Sequence, residues 1–134
     1  MGQLTSPDLG EISRNILLHF IDSSLLFNGY SSAVLNTHYG YDAAFVSAVE
    51  GAKTIEDVKS IVITHLGVEA KHISDACAEI VQWACHMVAG RAAALAACAI
   101  VAVVQHTNND KAPEGEEDKG VDVGVDGRWV LLCI

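Results

Sequence analysis

A chain of 134 residues is long enough for one domain with a real core, yet 51% of its residues are apolar and only 19% are charged. Part of that apolar surface is therefore expected to meet more protein. The net charge of −9 with neutral histidines, and the lack of any basic patch, argue against nucleic acid or an anionic membrane surface as partner.

The first residues, MGQLTSPD, read as irregular, with neither the basic start nor the apolar run of a signal peptide. From Leu9 to Phe27 the apolar positions Ile12, Ile16, Leu17, Phe20, Ile21, Leu25 and Leu26 keep helical spacing, with Glu11, Arg14, Asn15 and Asp22 interleaved. This predicts an amphipathic helix with one buried face. Asn28-Gly29-Tyr30-Ser31-Ser32 breaks it, and a loop with a short helical turn runs to about Tyr41. Asp42 is placed to cap a helix over Ala43 to Val49 that Gly51 ends. Another follows from Thr54 or Ile55 to His65, with Ile55, Val58, Ile61 and Val62 inward and Gly67 as its stop.

The longest helical pattern runs from Ser74 to His106, with no proline and one glycine. Ser74 offers a cap, and Asp75 and Glu79 suit the positive end of the helix dipole. Up to Arg91 the pattern is amphipathic, but all 13 residues from Ala92 to Val104 are apolar and eight of them are alanine or cysteine. That half is expected to be sheathed in protein, its small side chains letting neighbours approach. At roughly 1.5 Å per residue the run reaches about 20 Å, short of a hydrocarbon core of about 30 Å, so no membrane span is expected.

An acidic loop over residues 107–120 follows, with Glu-Gly-Glu-Glu-Asp read as a solvated tip. Then the period changes: Val121 to Val125 alternates, Asp126-Gly127 is the dipeptide best suited to a two-residue turn, and Arg128 to Leu132 would return. Such a hairpin is marginal without a sheet beside it, and the chain offers no third strand. A helix wanting cover and a hairpin wanting a sheet suggest one partial domain, residues 1–134, of a larger α/β protein.

Cys77, Cys85, Cys98 and Cys133 form no CxxC pair, and Cys77 and Cys85 lie too far apart along one helix for a disulfide. Reduced core cysteines in a cytoplasmic protein are expected. The six histidines show no ligand spacing, so no metal site is expected.

The segments LGEISRNILL, LLFNGYSS, FVSAVE, GRAAALAACAIVAVV and VDVGVDG stand in an order that resembles the large domain of eukaryotic hexokinases, most like the fungal ones, over about residues 8 to 128. The resemblance implies a parent with the α/β, actin-like ATPase (ribonuclease H-like) fold, of which this chain would be a mainly helical piece with one C-terminal hairpin. It implies transfer of the γ-phosphoryl group of ATP, with magnesium, to the 6-hydroxyl of a hexose. It also implies that the glycine-rich phosphate loop, the sugar-binding segment with its catalytic aspartate and the sugar-holding glutamates precede Met1, while an adenosine-side loop follows Ile134. Both ends depart from the family pattern: GQLTSPD stands at the front, and Arg128 and WVLLCI replace the usual serine and its continuation.

Few site residues carry over. By resemblance Ser47, in FVSAVE, matches a serine near the nucleotide, and Ala43 stands where relatives often carry threonine, which implies a lost hydroxyl contact. Read from its helix alone, Ser47 could equally bond a nearby carbonyl. Asp126 reads as a turn residue rather than a catalytic acid, and Arg91 as a partner of backbone or carboxylate rather than of phosphate. Asp42 and Glu50 flank one short helix with nothing to mark them as an acid/base pair. Three functions remain open. The chain is a hexokinase segment without activity of its own, binding neither ATP nor magnesium tightly; a protein-interaction or self-associating helical module; or a helical binder of a small apolar ligand.

Overall fold

The computed structural model describes residues 6–108, 115 and 120–124. In order these form α1 (Ser6–Asp22), a 3-10 turn over Phe27–Gly29, α2 (Ala33–Asn36), α3 (Ala43–Glu50), α4 (Ile55–Leu66), a second 3-10 turn over Ala70–His72, and α5 (Asp75–His106). The chain divides into two compact units, Met1–Ala89 and Gly90–Ile134.

Local capping chemistry sets the helix ends. Ser32 accepts the Leu35 N–H at 3.3 Å to start α2, and Asp42 accepts the Ala44 N–H at 2.8 Å to start α3. Thr54 and Asp57 form a reciprocal capping box at α4, with bonds of 3.2 and 3.0 Å. Gly67 ends α4 in the left-handed region, φ 65°, where a Cβ would cost energy. At α5 the Ser74 hydroxyl accepts the Cys77 N–H at 3.2 Å.

The first unit buries Leu17 and Ile21 of α1, Leu26 and Phe27, Leu35, Phe45, Val46 and Val49 of α3, Val58, Val62 and Leu66 of α4, and Cys77, Ala78, Val81, Ala84, Cys85 and Ala89 of α5. α1 packs on α3, and α3 on α4. The helix expected to run to Phe27 ends at Asp22, which leaves Leu25 outside it. Leu17 and Ile21 are buried and Ile16 and Phe20 pack on the core, as the apolar spacing predicts, but in the first turns Ile12 is exposed, at 40%, whereas Glu11, Ser13 and Arg14 are buried. There the buried polar groups satisfy one another and the loop beside them, so a polar stripe occupies interior space that the pattern assigns to isoleucine.

In the second unit, α5 continues to His106 with most of its surface bare. Leu95, Val101 and Val103 are 49%, 52% and 63% exposed. The sheath expected around Ala92–Val104 is therefore absent among the described residues. A helix apolar on every side needs neighbours on every side, and no residue of α5 beyond Ala92 is buried. Arg91, the last residue of the amphipathic half, is exposed; Cys98, expected in a core, is exposed too, whereas Cys77 and Cys85 are buried, and all three of these thiols are free. By length and composition alone α5 could cross a membrane, its most apolar stretch having a mean hydropathy of 2.2.

The expected hairpin is not formed where it can be seen. Residues 121–124 have no strand structure, and no strand occurs among the described residues. Two strands without a third to pair with are marginal in water. Val125, Asp126, Arg128 and the terminal WVLLCI, as well as most of the acidic 107–120 loop, lie outside the described residues.

Candidate functional site

The most organised polar cluster of the molecule is built on the first turns of α1. Glu11 and Arg14 stand one turn apart and form a two-pronged pair, Nε to Oε2 at 2.7 Å and Nη2 to Oε1 at 2.6 Å. Arg14 Nη1 also donates to the Leu35 carbonyl at 2.7 Å. The remaining acceptor capacity of Glu11 takes the Tyr39 N–H at 2.9 Å and the His38 Nδ1 at 2.6 Å. One helix turn thus holds both ends of the 35–39 loop, including Tyr39 at a positive φ of 56°. The Arg14 guanidinium beside Glu11 lowers its carboxyl to about 2, and Glu11 in turn holds Arg14 above its ordinary value.

Two neighbours bring the start of α3 against this turn. Gly10 lies so close to the chain entering α3 that a Cβ there would sit 2.7 Å from Asp42 Cα. Ser13 donates to the Gly10 carbonyl at 2.8 Å and shares a 3.0 Å hydrogen bond with the Tyr41 hydroxyl. Burial pushes the Tyr41 phenol well above its ordinary value. The sequence pattern passes over this cluster by treating Glu11 and Arg14 as outward. Its visible signal is an i, i+3 opposite-charge pair bracketed by Gly10 and Ser13, two small residues that interrupt the apolar face.

α3 carries both residues assigned by resemblance. Ala43 begins it and is 7% exposed, and Ser47 lies one turn on, half-buried, with its carbonyl accepting the Gly51 N–H at 3.0 Å. The helix therefore brings the two positions onto one face. Asp42 and Glu50 sit at its opposite ends and have separate duties. Asp42 caps the helix, and Glu50 Oε2 lies 3.2 Å from His86 Nδ1 on α5.

Two grooves open beside this helix. One, about 390 Å³, lies between the end of α3 and α4 and is lined by Ala48, Gly51, Lys53, Asp57 and Ser60 among others. Its carboxylate, Asp57, is committed to the Thr54 cap. The other, about 320 Å³, is lined by Glu50, Glu79, Gln82, Trp83 and His86. Ser47 lines neither of them.

The thiols differ in character. Burial, and then the Glu50 charge, push the Cys85 thiol up to about 12. Burial also acts against Cys77 ionisation, but the Ser74 hydroxyl and backbone N–H groups, including that of Phe27 at 3.4 Å, outweigh it and hold that thiol below its ordinary value. Among the described residues no group of three or more His, Cys, Asp or Glu side chains is placed to hold a metal ion.

Comparison with known proteins matches residues 8–132 to the hexokinase family model. Hexokinase-2 of horse (Equus caballus) and Hexokinase-2 of human are each 37% identical over 125 residues, and Hexokinase-1 of rat (Rattus norvegicus) is 31% identical over 126. Each comparison covers 92% of this chain but 13% of the relative, so the chain spans about an eighth of the length of these relatives. These mammalian relatives support the family without supporting a fungal branch of it. With a match over residues 8–132, the chain belongs to the hexokinase family.

Proposed function

We propose that these residues are a scaffold section of the large domain of an ATP-dependent hexokinase, and that the 134-residue chain by itself has no phosphotransferase activity. The family match over residues 8–132 carries this reading. In the parent enzyme ATP, with magnesium, would phosphorylate a hexose at its 6-hydroxyl, and Ser47 would lie beside the nucleotide, with Ala43 one turn away lacking the hydroxyl often found there. Phosphoryl transfer needs positioned donor and acceptor and compensation of phosphoryl charge. Among the described residues the one buried arginine, Arg14, is already spent on Glu11 and Leu35, and no group of three or more His, Cys, Asp or Glu side chains is placed to hold a metal ion. ATP and magnesium are thus not expected to bind this chain tightly. A reducing, cytoplasmic setting suits the three free thiols among the described residues. The range of the family match includes α5, so that helix is read as one built to be covered by protein rather than lipid.

The test is hexose-dependent formation of ADP from Mg-ATP by the purified chain. No ADP above the rate of a heat-unfolded control is expected, and turnover abolished by omission of the hexose would sink the claim of inactivity. The scaffold role is tested by exchanging residues 8–132 for the matched segment of human Hexokinase-2. Retained activity is expected; a folded chimera without activity would overturn it.

A second reading rests on a separate observation, the bare apolar surface of α5 beyond Gly90. As an isolated chain, the protein would act as an interaction or self-associating module through that helix. Light scattering that finds a monodisperse monomer, together with no binding of a hydrophobic dye, would remove this reading.

A further inference from the structure

The groove between the end of α3 and the first half of α5 is chemically unlike the rest of the surface. Glu50 closes one end and is only 24% exposed at its side chain, while Glu79, Gln82, Trp83 and His86 line the α5 wall. Residues 79, 82, 83 and 86 recur at helical spacing, so they share one face of α5. Trp83 is 54% exposed, which is unusual for the largest apolar side chain on a well-packed helix, and Phe20 meets its ring edge-on with centroids 6.1 Å apart. That contact fixes the indole without covering it. Next along the helix, Met87 is also 52% exposed.

An indole beside two carboxylates and an amide is a receptor for a planar cation. The ring attracts positive charge through its quadrupole, a carboxylate pairs with it in two-pronged geometry, and the glutamine oxygen accepts a further N–H. Glu50 is also the last residue of α3, where the helix dipole adds negative potential. His86 holds Glu50 Oε2 and leaves Oε1 to an incoming donor. A guanidinium meets these demands better than an ammonium, because it stacks and forks at once. The volume, about 320 Å³, lies at the bottom of the range for small-ligand sites and suits one side chain. The net charge of −9 steers a basic partner towards it.

We infer that this groove receives an arginine side chain presented by a partner polypeptide, with Trp83 stacking on the guanidinium and Glu50 and Glu79 pairing with it. The inference is independent of phosphotransfer and concerns a surface of the first unit alone.

The experiment is fluorescence anisotropy of the full chain titrated into a labelled peptide carrying two arginines spaced by glycines. Its controls are the same peptide with lysine or citrulline in place of arginine. Arginine is expected to bind at least about tenfold more tightly than citrulline, its neutral isostere, and several-fold more tightly than lysine. Trp83→Ala and Glu79→Gln should each weaken binding about fivefold or more with circular dichroism unchanged, whereas Glu69→Gln, which removes the same charge from the 66–72 connection, should leave it within twofold. Equal binding of arginine and citrulline peptides, or an equal loss in Glu69→Gln and Glu79→Gln, would overturn the proposal. Free arginine amide competing at the same concentration as the peptide would overturn the polypeptide as the source.

Discussion

Glu11 and Arg14 are joined by two hydrogen bonds within one turn of α1, and both are buried, at 7% and 6% exposure. The pair is a clamp as much as an ion pair, since its outer atoms grip the Leu35 carbonyl and the Tyr39 N–H of the segment that joins α2 to α3. Removing one partner strands the other charge. Glu11→Gln or Arg14→Met is expected to cost about 3–5 kcal/mol each. The double variant should cost clearly less than the sum, because neither charge is then left alone. Urea unfolding of the four chains checks this, and strict additivity would show that the two side chains act separately.

The same pair sets an acid dependence. The folded Glu11 carboxyl lies at about 2, below its ordinary 4.5, so between those values the unfolded chain binds more protons than the native one. The stability contributed by the pair is complete above about 4.5 and drains away as the pH falls towards about 2. The loss of stability on acidification through that window should be visibly smaller in Glu11→Gln than in the parent chain. Identical acid profiles would show that the carboxylate is not held in this way.

Glycine positions separate a packing role from a conformational one. At Gly10 a methyl group would press on the backbone of Tyr41 and Asp42, so Gly10→Ala should part α1 from α3 and cost roughly 1–3 kcal/mol. At Gly90, inside α5, a Cβ meets nothing within 4 Å. There alanine should stabilise by about 0.5–1 kcal/mol, through helix propensity alone. Thermal unfolding distinguishes them, and a shift of the same sign in both variants would contradict the close approach at Gly10.

The starts of α3, α4 and α5 and the end of α4 were legible because they depend on neighbours in sequence: Asp42, Thr54, Gly67 and Ser74 cap or stop helices within four residues of themselves. The bounds of α1 were not, for it begins at Ser6 and ends at Asp22 although apolar spacing carries on to Phe27. The family was legible from the order of five short segments. The buried polar face of α1 was not, since whether Glu11 and Arg14 point inward is decided by Leu35 and Tyr39, more than twenty residues away. Apolar periodicity counts isoleucine as core whatever lies beside it, and so it placed Ile12 inside. The groove at Trp83 was missed for a related reason. Glu50 and Glu79 come to line one groove only once α3 and α5 are folded, and their spacing in the chain carries no sign of it. Of the hairpin only residues 121–124 are described, and they form no strand; alternation gives a strand only where a neighbouring strand is there to receive it.

The bare half of α5 gives the last test, because its two explanations separate cleanly. Leu95 and Val101 are about half exposed, so if this surface is free in the isolated chain, Leu95→Glu and Val101→Glu should change stability by no more than about 0.5 kcal/mol. If the surface is instead buried between copies, the same substitutions place a charge in an apolar interface. They would then dissociate the assembly and lower the unfolding midpoint in a concentration-dependent way. Sedimentation velocity of the parent and both variants, over a hundredfold range of concentration, decides between these. An assembled parent that becomes monomeric on Val101→Glu is the expected result, since an exposed helix of 13 successive apolar residues is not stable against association in water. A parent that stays monomeric throughout, with variants of equal stability, would mean that the helix tolerates solvent unaided, and the self-associating reading would fall.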